Sequence, residues 1–274
     1  MSKKTEQKEM SATVTPVAQT NVPAVAQAAA LPATKPQASA ELLERIGEVR
    51  DNLQAVEEFR LPRIRMTSGG AEITEGEEPV QAIEGIILHA KKTNVFYAKP
   101  YNPSDVNPPD CFSLDGERPD ASIEKPQHPT CKGCPKAEFG TNSMGSGKAC
   151  RNLKPLYFLT GDGAIMPRQL TISPTSLKAA NAYIMDLTAA GYNFRKVKTR
   201  IEFFKENPKD TYMKAKFKKV GVLDAQQKAD VDALLEMWKP MIEKQTIDQS
   251  ELEGQASQAN AAAQAQAANV SGDF

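Results

Sequence analysis

Apolar residues recur along the middle of this chain with two periods, and the switches between them mark out the elements. From Ser39 onward, Leu42, Ile46, Val49, Leu53 and Val56 fall three or four apart. That spacing predicts an amphipathic helix capped by Ser39 and running to about residue 59. "LPRIRMTSGG" then predicts extended structure and a glycine turn. β-Branched and aromatic residues dominate 80–89 and 94–99, two segments with a short polar link that read as paired strands. "PLYFLTGDGAIMPRQLTIS", residues 155–173, predicts two strands joined at Gly161-Asp162-Gly163. Ser173-Pro174 opens a helix with Leu177, Ala180, Ile184 and Leu187 on one face and Gly191 past its end. Strands over 194–204 and 211–222 flank "KENPKD". Asp224 with Gln227 reads as the capping box of a last helix, which carries Val231, Leu234, Leu235 and Trp238 and is disturbed at Pro240.

Strands with single helices between them predict a mainly β, α+β fold: an OB-like small barrel or curved antiparallel sheet of about five to seven strands. Outside 39–244 both periods vanish. Residues 1–38 are rich in Ala, Thr, Pro, Gln, Val and Lys, and 245–274 hold no aromatic before Phe274. Neither segment can bury enough apolar surface to offset chain entropy, so both are expected to be disordered arms. The Ala-rich "VPAVAQAAALPA" is broken by Pro and Gln, unlike the continuous apolar run of a secretion signal, and no stretch approaches membrane-spanning length. The expectation is a cytoplasmic protein with no membrane partner.

Between the strand pairs lies a stretch without hydrophobic period, 108–152, and it contains Cys111, Cys131, Cys134 and Cys150, all four cysteines of the chain. A segment of this length with no core of its own needs another staple if it is to be ordered. In a reducing cytosol, where disulfides do not persist, the expected staple is a structural Zn²⁺ held by four thiolates, with C-x2-C supplying two of them from one turn. Gly133 allows that turn and Pro135 fixes its exit, while Lys132, Lys136 and Lys148 would moderate the excess negative charge. His128 is the one alternative ligand, in place of Cys111 or Cys150. A thioredoxin-like redox pair is disfavoured, because the motif does not open a helix after a strand.

The chain is formally neutral, yet its charge is unevenly placed. Residues 195–219 carry ten Lys or Arg against three acids, and 245–274 carry four acids and no base. Alternation puts Lys196, Lys198 and Arg200 on one strand face, and Tyr212, Lys214, Lys216 and Lys218 on one face of the next, opposite the apolar set. Such a face predicts a phosphate-tracking groove, with Tyr212, Tyr97 and Tyr101 as base-stacking platforms; Phe96 reads as core. The bland counterpart is a lysine-guarded sheet edge. Catalysis is not expected: the chain has two histidines, no carboxylate cluster with metal-ligand spacing, and in "GTNSMGSGKAC" a lysine misplaced for a phosphate loop.

A basic β-domain, an uncharged Gln/Ala linker and the terminal "SGDF" together resemble the single-stranded DNA-binding proteins of bacteria and phages. The resemblance implies that Asp273 and Phe274 dock on replication or recombination proteins. "PPDCFSLDGERPD", "CKGCPKAEFG" and "GKAC" are similar to a pattern recurrent in proteins of phages and mobile elements, which spans 60–222 and implies a phage setting. The expected function is non-sequence-specific single-stranded DNA binding during replication or recombination. The competing class is a zinc-stapled adaptor for protein partners or duplex DNA. Neither the helix near 174–190 nor that near 224–243 has the basic exposed face with which duplex readers enter the major groove.

Overall fold

The computed structural model describes residues 36–74, 76–99, 108–143, 145, 147–161, 163–208, 210 and 212–245. Along them run α1 (Ala40–Gln54), β1 (Arg63–Thr67), β2 (Gly70–Glu72), β3 (Ala82–Ala90), β4 (Thr93–Phe96), β5 (Cys111–Ser113), β6 (Cys150–Thr160), β7 (Arg168–Ile172), α2 (Leu177–Ala189), β8 (Val197–Phe204), β9 (Lys214–Val222) and α3 (Ala225–Lys244). The nine strands form one sheet in the order β2-β1-β7-β6-β3-β8-β9, with β4 on β6 and β5 on β4. All pairs are antiparallel except β1 with β7. The sheet curls into a half-barrel, and reciprocal Ala71–Val80 backbone hydrogen bonds of 2.9 and 2.8 Å bring β2 against the approach to β3.

The long strand β6 organises the rest. Its Thr160 end pairs with β3 and its Cys150 end with β4, so β3 and β4 are two lengths of one strand laid along it. The break between them faces Pro155, whose carbonyl accepts from Lys91 N–H at 2.9 Å. Proline has no N–H to return, and the ladder resumes at Thr93 opposite Leu153. Gly85 sits where β3 is pressed between β6 and β8; a Cβ there would stand 1.9 Å from the Leu159 carbonyl oxygen.

Alternation along the strands sends apolar side chains to both sides of the sheet. On the inner side Ile83, Ile87, Leu156, Phe158, Leu170, Ile201 and Phe203 pack under α2 through Ala180, Tyr183 and Leu187. On the outer side Leu88, Tyr157 and Leu159 are covered by α1 and α3 through Leu42, Ile46, Leu234 and Trp238. Trp238 is fully buried, stacks on Phe59 and donates its indole N–H to the Ile165 carbonyl at 2.8 Å. Among the described residues no helix is long and apolar enough to cross a membrane.

Several expected boundaries move. Helix α1 stops at Gln54, leaving Val56 exposed, because the chain must turn to place Phe59 on Trp238 and bury Leu61. Strand β8 begins at Val197; Phe194–Lys196 is a 3-10 turn initiated by the Asn193 side chain, which accepts from Arg195 N–H. The capping box of Asp224 and Gln227 forms as the sequence predicts, but α3 runs through Pro240 to Lys244.

Candidate metal centre and nucleic-acid interface

The four cysteines, all free thiols, line one pocket. Two arrive by strand register: Cys111 on β5 and Cys150 on β6 both pair with Phe96 on β4, from opposite sides. Cross-strand partners share a face, so both thiols and the Phe96 ring lie on one side of this small sheet. Cys131 and Cys134 come from the turn, anchored by Cys131 N–H to the Glu117 carbonyl at 2.8 Å and closed by Gly133 at φ +77°. The Lys136 amine sits 5.3 Å from the Phe96 ring centroid. The void is about 20 Å³, room for an ion or a water molecule rather than a metabolite.

The donor chemistry of this pocket suits zinc, and so does its setting. The apolar cluster beside it is small, the buried Val95 and Leu153 with the partly buried Tyr97 and Phe112 packed on them, too little to hold the segment by itself. The Cys111 sulfur accepts a hydrogen bond from the Gln127 backbone. Burial, then the other three cysteines, push the Cys150 thiol up to about 12, against the pull of Lys148. A cation among the sulfurs would reverse that tendency. Among the described residues, however, no three His, Cys, Asp or Glu side chains already stand as a set that could hold a metal ion. The thiols share a pocket wall rather than a coordination sphere. His128 also lines the pocket, and its Nδ1 lies 2.8 Å from the Thr130 carbonyl oxygen and 3.3 Å from the Thr130 nitrogen, so that side of its ring is committed locally.

On β8 and β9 the register pairs Arg200 with Lys218, Glu202 with Lys216 and Phe204 with Lys214, which puts these six side chains on one face. It is the outer face of the sheet, beyond the cover of α1 and α3. The opposite side carries Val197, Ile201, Phe203 and Ala215 into the core. Lys216 and Lys218 are exposed and have no ion-pair partner among the described residues. The same alternation that exposes Arg200 also exposes Glu202, and β3 contributes Glu84. Arg200 lies 2.8 Å from Glu84 and 3.0 Å from Glu202, and these two carboxylates raise its pKa. Lys214 is hydrogen-bonded to Glu206, which raises its pKa in turn. The face is therefore an interleaved row of charge with two open cations, not an uninterrupted basic stripe.

No family model, curated protein or solved structure matches this chain.

The remaining expected contacts are dispersed. Lys196 lies in the 3-10 turn instead of on the strand, and its amine is taken by Asp232 and by the Lys228 carbonyl of α3. Lys198 is half-buried on β8 beside the row. Tyr212, also half-buried, precedes β9 near Lys214. Tyr97 packs against Val95 and Leu153 beside the cysteine segment, away from β8 and β9. Tyr101, Asp273 and Phe274 lie outside the described residues. The thiol pocket and the charged face are far apart as well. Cys150 and Thr160 end the eleven-residue β6, and the charged face is level with the Thr160 end. At about 3.3 Å per residue the two sites are roughly 30 Å apart along the strand. A metal in the pocket would order its own segment without bracing the lysines directly.

Proposed function

We propose that this protein binds single-stranded DNA without sequence specificity and coats strands exposed in phage replication or recombination. The observation that supports the reading best is the open outer face of β8 and β9, where Lys216 and Lys218 are exposed and make no ion pair among the described residues, with Lys198 and Lys214 beside them. Such cations meet phosphates regardless of sequence and release counterions as they do so. Phe204, exposed opposite Lys214 in the row itself, and Tyr212 beside Lys214 supply the stacking surface that sequence-tolerant binding uses. In a reducing cytoplasm Cys111, Cys131, Cys134 and Cys150 would hold a structural Zn²⁺, leaving no coordination position for substrate. Its contribution is to order the cysteine segment. Docking of replication or recombination proteins on Asp273 and Phe274 belongs to the same reading.

Changing Lys214, Lys216 and Lys218 together to Glu is expected to weaken oligonucleotide binding severely. It should also flatten the dependence of log K on log salt by about 2, since each lost phosphate contact on a single strand removes about 0.7. Titrations superimposable on those of the unmodified protein would place the contact elsewhere. The alternative, an adaptor for protein partners or duplex DNA, draws on the exposed Val220 and Val222 at the end of β9 and predicts no single-strand affinity in either protein.

A further inference from the structure

Resting on the single-strand reading above, we infer that the cysteine segment supplies a second contact to the same strand, a base stacked on the ring of Phe139. Phe139 is 79% exposed, more than any other exposed large apolar side chain among the described residues. The described residues around it are hydrogen-bonded to one another. An antiparallel bridge joins it to Lys148. The Asn142 N–H donates to the Gly147 carbonyl at 3.1 Å, and the Gly147 N–H returns to Asn142 Oδ1 at 3.0 Å. The Thr141 hydroxyl donates to the Glu138 carbonyl at 2.7 Å while accepting from Ala149 N–H at 3.0 Å. The ring is thus held in water by an ordered scaffold, although burying it would be favourable.

Its surroundings select the occupant. The Lys148 amine lies 5.0 Å from the ring centroid, over one face. Within 128–151 the charged residues are Lys132, Lys136, Lys148 and Arg151 against Glu138 alone. One ring is too small for a protein interface, which needs roughly 800 Å² from each partner. A flat apolar face beside ammonium groups fits a nucleobase with its phosphate, the combination by which single strands are held.

The test uses the full chain with two labelled strands of equal length, an oligothymidylate and an abasic deoxyribose-phosphate strand. Phe139→Ala is expected to weaken oligothymidylate binding by about five-fold to a hundred-fold, the range for one lost stacking contact, and to leave abasic binding unchanged. Phe139→Trp is expected to keep the affinity and to show emission quenched by oligothymidylate but not by the abasic strand, over the constant signal of the buried Trp238. Equal affinities of Phe139→Ala and unmodified protein for oligothymidylate would overturn the stacking contact, as would equal losses on both strands, with the β8–β9 face left standing. No binding of either strand by the unmodified protein would instead remove the single-strand reading and this inference with it.

Discussion

Arg200 offers a test that simple charge removal does not, because here taking away carboxylates should improve binding. Its guanidinium lies 2.8 Å from Glu84 and 3.0 Å from Glu202, on the face where Lys216 and Lys218 are open. Changing both glutamates to glutamine keeps their shape and removes two negative charges from the path of the phosphates. It also frees Arg200 for a phosphate oxygen, which guanidinium groups bind in bidentate fashion. One added contact steepens the salt slope of single-strand binding by about 0.7. Between 50 and 200 mM salt that is an extra loss of roughly 2.6-fold, from an affinity that starts higher at the low-salt end. Arg200 and both carboxylates are well exposed, so the fold should lose little stability. Fluorescence anisotropy of a labelled single strand, titrated at several salt concentrations, reads both effects. Binding that is unchanged or weaker in the Glu84→Gln/Glu202→Gln protein, with an unchanged slope, would show that phosphates do not pass over this face.

Two further outcomes concern stability and metal. Gly85→Ala pushes a methyl against the Leu159 carbonyl of β6 and the Phe158 ring, and backbone cannot yield as a flexible side chain does. The expected cost is at the upper end for overpacking, about 3 kcal/mol, read as a drop in Tm of roughly 6–12 °C for a domain of this size; an unchanged Tm would contradict the close β3–β6 approach. Purified protein is expected to carry about one zinc per chain, and Cys131→Ser to lose most of it along with part of the thermal stability, as elemental analysis and a melting curve would record. Full stability together with no zinc in the unmodified protein would leave the pocket a cluster of ordinary thiols.

Much of the fold is legible along the chain because local rules and tertiary packing agree there. Period-two alternation correctly separates the buried Val197, Ile201, Phe203 and Ala215 from the exposed lysines of β9, and the Asp224–Gln227 box marks the start of α3. What the sequence hides is register between distant segments. Glu84 is 116 residues from Arg200, so the carboxylate that neutralises it cannot be found from the alternation of β8; Glu202, two residues along, could have been. Nor does spacing reveal that the isolated Cys111 and Cys150 meet on either side of Phe96, since β5 is three residues long in a proline-rich stretch. The β3 and β4 segments read as strands paired with each other but are one interrupted strand, because a short polar link looks the same whether the chain turns back or continues past Pro155. Phe139 has no periodic neighbours, and only its exposure in the fold sets it apart.

The most direct measurement is the anisotropy of a labelled single strand and of its matched duplex, each titrated with the unmodified full-length protein at low and at moderate salt. Tight binding to the single strand that weakens steeply with salt, with the duplex bound far less well, is the predicted result. Equal affinity for both strands, or none for either, would contradict it.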